Sequence, residues 1–353
     1  MGRLDSDRKT LSDPAMRMLA LIVSAFLLTA ATPPVPDVLK PYIKGDRFDP
    51  GDYKWMKGRF PDATPEEKAQ SEQLKSWLNA CFDSDQVERR AELLALNVAD
   101  PKLNGMDFRD GLCAQVASAP SAELWPNFAA FQRSVQMATP LADTYLMAVK
   151  VAQQVGAASS PKMADLLKAR VIGDQMLRFG VGWGSGEMSM APAVSADVKA
   201  IIEARLSLAL AVEDRSNTEW LKRIVREQGW PKRSEVGEGA AGKAWLLVQH
   251  ADADPTFQLT SLRLMEPLVS SGEVSKGDYA YLYDRVMLKI TGKQRYGTQA
   301  MCLDGKRVVQ PLEDAKAVDR LRGEAGLQPL ANYLNGMNTS FGECPTSSSA
   351  HHQ

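Results

Sequence analysis

The stretch Ser216-Asn-Thr-Glu-Trp-Leu-Lys-Arg-Ile-Val-Arg-Glu-Gln-Gly-Trp-Pro231 decides the fold class. Trp220, Leu221, Ile224 and Val225 recur at the spacing of one helix face. Ser216 and Glu219 stand three apart, the spacing of a capping box, so a helix is predicted to open there. Gly229 and Pro231 close it, because glycine accepts the left-handed backbone of a helix end and proline cannot extend a helix. The same grammar continues on both sides. A separate helix is predicted over 196–212 and another over 240–251. Asp254-Pro255 opens a helix carrying Phe257, Leu259, Leu262 and Met265, and Ser275-Lys-Gly-Asp278 caps one carrying Tyr279, Leu282, Tyr283 and Val286. Asp304-Gly305, between 296–302 and 307–310, reads as a hairpin turn, with short helices predicted over 313–326 and 330–334.

Upstream, Thr64 and Pro65 mark a helix start, followed by Leu74, Trp77, Leu78 and Cys81 at helical spacing. Further helices are predicted over 87–96, 123–138, 141–155 and 161–178, and strand-like alternation is nearly absent. The expected fold is therefore mainly α. An N-terminal helical domain (63–179) is joined to a C-terminal helical domain carrying a small β-hairpin (195–338). Residues 32–62, rich in Pro, Gly and Asp, read as an extended lead-in, and 180–194, with glycine at alternate positions from Gly180 to Gly186, as a linker. The Ser/Thr-rich 339–353 reads as a disordered tail.

Residues 1–31 carry the layout of a secretory signal peptide: a short cationic start, an apolar run too short for a membrane span, and Thr29-Ala30-Ala31 before a proline cluster. The hydrophilic stretch before Met16 allows that residue to be the true start. An extracytoplasmic location, periplasmic or secreted in a bacterium, is expected, with no stable membrane anchor after cleavage. Four cysteines, none in a C-x-x-C pair, suit two disulfides in such a compartment. Of three possible pairings, the local one, Cys81–Cys113 and Cys302–Cys344, keeps each bridge inside one predicted domain. Each closure is worth ~3–4 kcal/mol in the chain-entropy model. A formal net charge of −1 without a Lys/Arg block gives no electrostatic case for a nucleic-acid partner. Neither a dinucleotide fingerprint, a P-loop nor a nucleophile elbow fits the 180–186 segment, and no cofactor is implied.

Chemistry has one histidine to work with inside the folded part, His250, since His351 and His352 sit at the C-terminal tip. A histidine-rich zinc site is excluded, and any relay must run through His250. Metal binding by His250, Asp252 and Asp254 would need side chains at i, i+2 and i+4 to converge, which a helix end does not favour, so no metal is expected. The expected site is a polar pocket. His250 acts as a base oriented by Asp284, and Gln249, Asp252, Gln258, Tyr281, Arg285, Tyr296 and Gln299 hold a ligand. The competing structural reading makes His250 a helix-end residue and Asp284 and Arg285 ion-pair partners. No nucleophile joins the set, so a binding or protein-interaction module, taking an unknown small molecule or protein, is the leading expectation. A hydrolase using His250 and Asp284 is the alternative, and whether the chain is an enzyme stays open.

Several motifs carry a family resemblance: Trp220-Leu221, Gly229-Trp-Pro231, Gln249-His-Ala-Asp252, Phe257-Gln258, Gly272-Glu-Val274, Tyr281-Leu-Tyr-Asp-Arg285, Gln294-Arg-Tyr-Gly-Thr-Gln299 and Gly326-Leu-Gln-Pro-Leu330. Over about residues 203–338 the chain resembles an uncharacterised bacterial family, domain-of-unknown-function family 6624. The resemblance implies a mainly helical domain and no particular activity.

Overall fold

A computed structural model describes residues 34–45, 47–103, 108–184 and 191–344. The segment expected to be a signal peptide, residues 185–190 of the glycine-rich stretch and the tail beyond Cys344 lie outside the described residues. The lead-in is folded where an extended chain was expected. Short 3-10 turns, Asp37–Tyr42 and Lys54–Arg59, flank a two-strand ribbon of β1 (Ile43–Lys44) and β2 (Arg47–Phe48). The prolines and glycines there serve as turns. The residues between them, Leu39, Phe48, Tyr53, Trp55, Met56 and Phe60, are buried in the first core, and that burial makes an extended path unfavourable.

Helix α1 (Pro65–Ala95) opens with both halves of a capping box between Thr64 and Glu67. It runs unbroken through the predicted boundary at 87, because no glycine or proline interrupts it and the polar Asp85 and Arg89 are buried on its inner face. Cys81 is bridged to Cys113 of α2 (Gly111–Ala117), Cα–Cα 6.4 Å. Helix α3 (Phe128–Val155) fuses the two helices expected at 123–138 and 141–155. Pro140 removes one backbone donor, but Ala138 and Ala142 on either side are fully buried, and their packing keeps the helix continuous across it. Helix α4 (Met163–Val181) follows.

The opening stretch lies within α5 (Ala196–Gln228), a single helix of 33 residues, about 50 Å long. Ser216 is thus interior and caps nothing. Glu213, Asp214 and Arg215 tolerate a helix, and the capping-box spacing occurs there without the break in backbone that gives it meaning. Gly229 ends α5 as expected, at φ +80°. Continuity has a structural consequence. Val198, Ile201, Ile202 and Leu206 join the aromatic first core, while Trp220, Leu221, Ile224 and Val225 join a second, which also takes Leu167 and Val171 of α4. The two cores are therefore spliced together by shared helices.

The remainder follows the predicted order. After the short α6 (Arg233–Val236) come α7 (Glu238–Gln249), α8 (Pro255–Val269, capped by Asp254 on Phe257 N–H) and α9 (Lys276–Thr291, capped by Ser275). The hairpin of β3 (Ala300–Leu303) and β4 (Lys306–Val309) turns at Asp304-Gly305, both at positive φ as a two-residue hairpin turn requires. Helices α10 (Val318–Glu324) and α11 (Leu330–Phe341) close the fold, and Cys344 bridges back to Cys302 of β3, Cα–Cα 5.5 Å. Both local disulfides are formed.

Candidate functional site

His250 is the C-cap of α7, where the chain leaves the helix toward the Asp254 cap of α8. Its hydrogen-bond partners come from α4, and Asp214 of α5 joins them through Arg178. Nδ1 lies 2.7 Å from Oδ1 of Asp174, a carboxylate with no solvent exposure, and 3.0 Å from Nε of Arg178. Arg178 Nε is also 3.3 Å from Asp174 Oδ1, and its Nη2 donates to both oxygens of Asp214 at 2.7 Å. Gln175 donates to the remaining oxygen of Asp174 at 2.6 Å. Leu167, Val171, Asp174 and Arg178 fall on one α4 stripe, so the charges arrive on the face that packs inward.

Burial and the neighbouring charges shift each group in a definite direction. Burial pushes the His250 pKa down, with Asp174 only partly opposing it, so the imidazole is neutral near pH 7. Burial also works against the charge on Asp174, yet the His250 and Gln175 hydrogen bonds and the Arg178 charge hold it below the usual carboxylate value. An ionised Asp174 accepts a hydrogen bond from Nδ1–H, which leaves the Nε2 lone pair without a hydrogen-bond partner among the described residues. Asp214 behaves oppositely: burial, reinforced by the neighbouring Asp174 charge, pushes it up to about 8 in spite of Arg178. Two carboxylates share one guanidinium, and one of them retains its proton.

Beside this cluster, Asp252 is held at 2.6 Å by Arg285, with Lys289 at 3.9 Å and Gln258 Nε2 at 3.2 Å. Burial disfavours its charge, but the two cations bring its pKa down to about 2. Gln258 is fully buried and also donates to the carbonyls of Val248 and Gln249, locking the end of α7. Gln249 is buried, and the side-chain carbonyls of Gln249 and Gln258 have no hydrogen-bond partner among the described residues. Tyr281 stands one turn before Arg285 on α9, its ring edge-on to Trp245 of α7 at 6.3 Å. Arg285 contributes to lowering the His250 pKa, which marks the Asp252–Arg285 pair as its electrostatic neighbour.

Asp284 does not orient His250. It is fully buried and accepts the backbone N–H groups of Arg295, Tyr296 and Thr298 at 2.7–2.8 Å. Burial raises its pKa, with those three donors opposing. Adjacent residues of a helix point about 100° apart, so Asp284 and Arg285 face different partners. The 294–299 segment is likewise a self-braced loop. Gln294, fully buried, donates to the carbonyls of Gln299 and Gln310 and accepts from Gln299 N–H. Tyr296 packs edge-on to Tyr283 at 5.8 Å, and Gln299 Nε2 reaches Thr298. No hydrogen bond or ion pair among the described residues links His250 to Asp284, Tyr296 or Gln299.

The structure thus gathers Gln249, His250, Asp252, Gln258, Tyr281 and Arg285 along α7–α9 and assigns Asp284, Tyr296 and Gln299 to a structural clasp. Asp174, Arg178 and Asp214 were missed by sequence reasoning. A carboxylate in register with Leu167 and Val171 was a usable signal, since an unpaired charge is rarely buried. Asp214 was hidden by the supposed break before Ser216. Two surface cavities, of about 230 and 450 Å³, lie elsewhere, one lined by Ser84, Glu88, Arg109 and Arg215, the other by Trp125, Arg133, Met137 and Asp197.

Residues 197–344 match a family of unknown function (DUF6624), the family that the C-terminal motifs resemble. No curated protein and no solved structure matches the chain. Asp214 and His250 fall inside the matched segment, and Asp174 and Arg178 precede it.

Proposed function

We propose that this chain is an extracytoplasmic, disulfide-braced helical module, periplasmic or secreted, that binds a small polar ligand at His250. One observation carries the reading. The one histidine among the described residues has Nδ1 fixed by a fully buried carboxylate, while Nε2 makes no hydrogen bond to another described residue. A histidine retained for packing or capping has no need of a buried carboxylate, which is costly to desolvate. The two disulfides support an oxidising compartment, and N-terminal sequencing of the exported protein should return a start near Thr32.

Binding is tested with ¹⁵N-histidine-labelled protein, in which the His250 ring signals stand apart from those of the terminal histidines. A panel of amino acids, dicarboxylates and sugars is titrated with chelator present. At least one class should shift the His250 signals, and His250→Ala should abolish its binding while leaving thermal unfolding nearly unchanged. A panel without effect, together with a large loss of stability in His250→Ala, would show that the cluster is structural. The hydrolase reading keeps one point in its favour: Asp174, in the place expected of Asp284, makes His250 a competent base toward a water molecule. Asp174→Asn should then abolish turnover of any substrate found, since it imposes the wrong imidazole tautomer.

A further inference from the structure

We infer that Asp174, Asp214 and His250 form a binding site for a divalent first-row transition ion, with Arg178 as the internal cation that occupies its place when the ion is absent. This deepens the binding reading, and it rests on His250 as the centre of the site. The three side chains come from three different helices, α4, α5 and α7, and each presents a ligand atom within 4.8 Å of the other two. Two carboxylate oxygens and one imidazole nitrogen are the donor set of zinc, manganese, cobalt and ferrous sites, and remaining positions can be filled by water.

The hydrogen bonding inside the cluster points the same way. Nδ1 of His250 faces a carboxylate oxygen at 2.7 Å and an N–H donor, Arg178 Nε, at 3.0 Å. It cannot donate to the first and accept from the second at once. With Nδ1–H turned to Asp174, the N–H of Arg178 Nε faces a second donor and its close contact is left unsatisfied. A cation resolves the conflict, because the lone pairs of Nδ1, Asp174 and Asp214 then all point at one positive centre. The guanidinium already marks that centre: its Nε and Nη2 reach all three residues. Its single positive charge faces both carboxyl groups. Unlike Asp174, which is fully buried, the Arg178 side chain is 31% exposed, so it can withdraw to solvent as an ion enters. The one histidine nitrogen used is Nδ1, which leaves Nε2–H outward for a ligand of the ion or for water.

The test uses the full exported chain, dialysed free of metal and titrated with Co²⁺, whose visible absorption reports nitrogen and oxygen ligation, with Zn²⁺ as competitor. One Co²⁺ per chain should bind with a histidine-dependent spectrum that Zn²⁺ displaces. Asp214→Asn should weaken binding about a hundredfold or more, as loss of a direct ligand exceeds the 10–100-fold effects of outer-shell changes. Arg178→Gln is the discriminating variant. Removing a competing positive charge at this distance should tighten Co²⁺ binding at least about tenfold, whereas in a mere ion-pair network it creates no metal affinity. Circular dichroism confirms that each variant is folded. Absence of stoichiometric Co²⁺ in both the parent chain and Arg178→Gln would overturn the inference, as would binding insensitive to Asp214→Asn. The two readings fail separately: an organic compound that shifts His250 in chelator, with no Co²⁺ bound, removes the ion and leaves the binding module.

Discussion

Replacing Asp284 separates a structural carboxylate from a catalytic one. In the folded chain its two oxygens accept three backbone N–H groups, from Arg295 and Tyr296 on Oδ1 and from Thr298 on Oδ2, with no solvent contact. Asp284→Ala leaves all three donors without a partner. Each buried, unsatisfied group costs about 1–3 kcal/mol. Water entering the space left by the carboxylate recovers part of this, so a loss of about 3–6 kcal/mol is expected. Asp284→Asn keeps one acceptor oxygen for Arg295 and Tyr296 but sets an amide against Thr298 N–H, and should cost about 1–3 kcal/mol. Urea unfolding followed by tryptophan fluorescence, with the disulfides intact, measures both. Hydrogen exchange at the amides of 295, 296 and 298 reports whether the loop opens first. An alanine variant within about 1 kcal/mol of the parent, with these amides still protected, would refute the clasp and return Asp284 to consideration as a partner of His250.

Asp254 caps α8 and pairs with Lys222 at 2.7 Å and Arg109 at 3.5 Å. Although burial disfavours its charge, these partners hold its pKa below the ordinary 3.8, so its contribution is present above pH 4 and lost as pH falls through the folded value. Asp254→Asn keeps the cap but not the charge, so it should lower stability at pH 7 and match the parent in strong acid, as acid-limb unfolding curves will show. Ser216→Ala should leave stability unchanged or raise it by up to about 0.5 kcal/mol, since an exposed interior serine is replaced by a better helix former. A loss near 1 kcal/mol in thermal unfolding would instead restore the cap. Cys344→Ser, which frees the end of the chain from β3, should cost about 3–4 kcal/mol on the chain-entropy account, measured against the oxidised parent.

What could be read in advance was local. Thr64, Asp254, Ser275, Gly229 and Asp304-Gly305 each act where their chemistry is decided within four residues, and each holds its expected post. The local disulfides follow from chain proximity and the hairpin from its turn. Helix continuity was less legible. Asp83, Ser84 and Asp85, Pro140, and Glu213 to Ser216 all look like breaks, but packing on both sides of each holds one helix together, because tertiary burial outweighs about 0.5 kcal/mol of local propensity per ordinary residue and about 3 kcal/mol at the proline. The site suffered most from this. Asp284 is the expected partner of His250 only as the carboxylate of one shared polar pocket. The real partner lies 76 positions upstream and is found only when α4 is laid against α7. The polar character of 294–299, read as a ligand-binding surface, belongs to side chains that cross-link their own backbone.

The origin of the four site residues bears on what the family-matched segment can do alone. Residues 197–344 include Asp214 and His250 but neither Asp174 nor Arg178. In the whole chain the matched segment receives its buried carboxylate and its guanidinium from α4, which precedes the match and whose Leu167 and Val171 complete the second core. A fragment beginning at 197 therefore loses core residues and the group that fixes the His250 tautomer together. Its two retained ligand candidates, Asp214 and His250, would have no common partner to hold them near each other. The N-terminal helices are thus more than a leader to an independent module: α4 supplies half of the candidate site. A chain carrying the matched segment without an equivalent of Asp174 and Arg178 on a neighbouring helix cannot build this site in the same way.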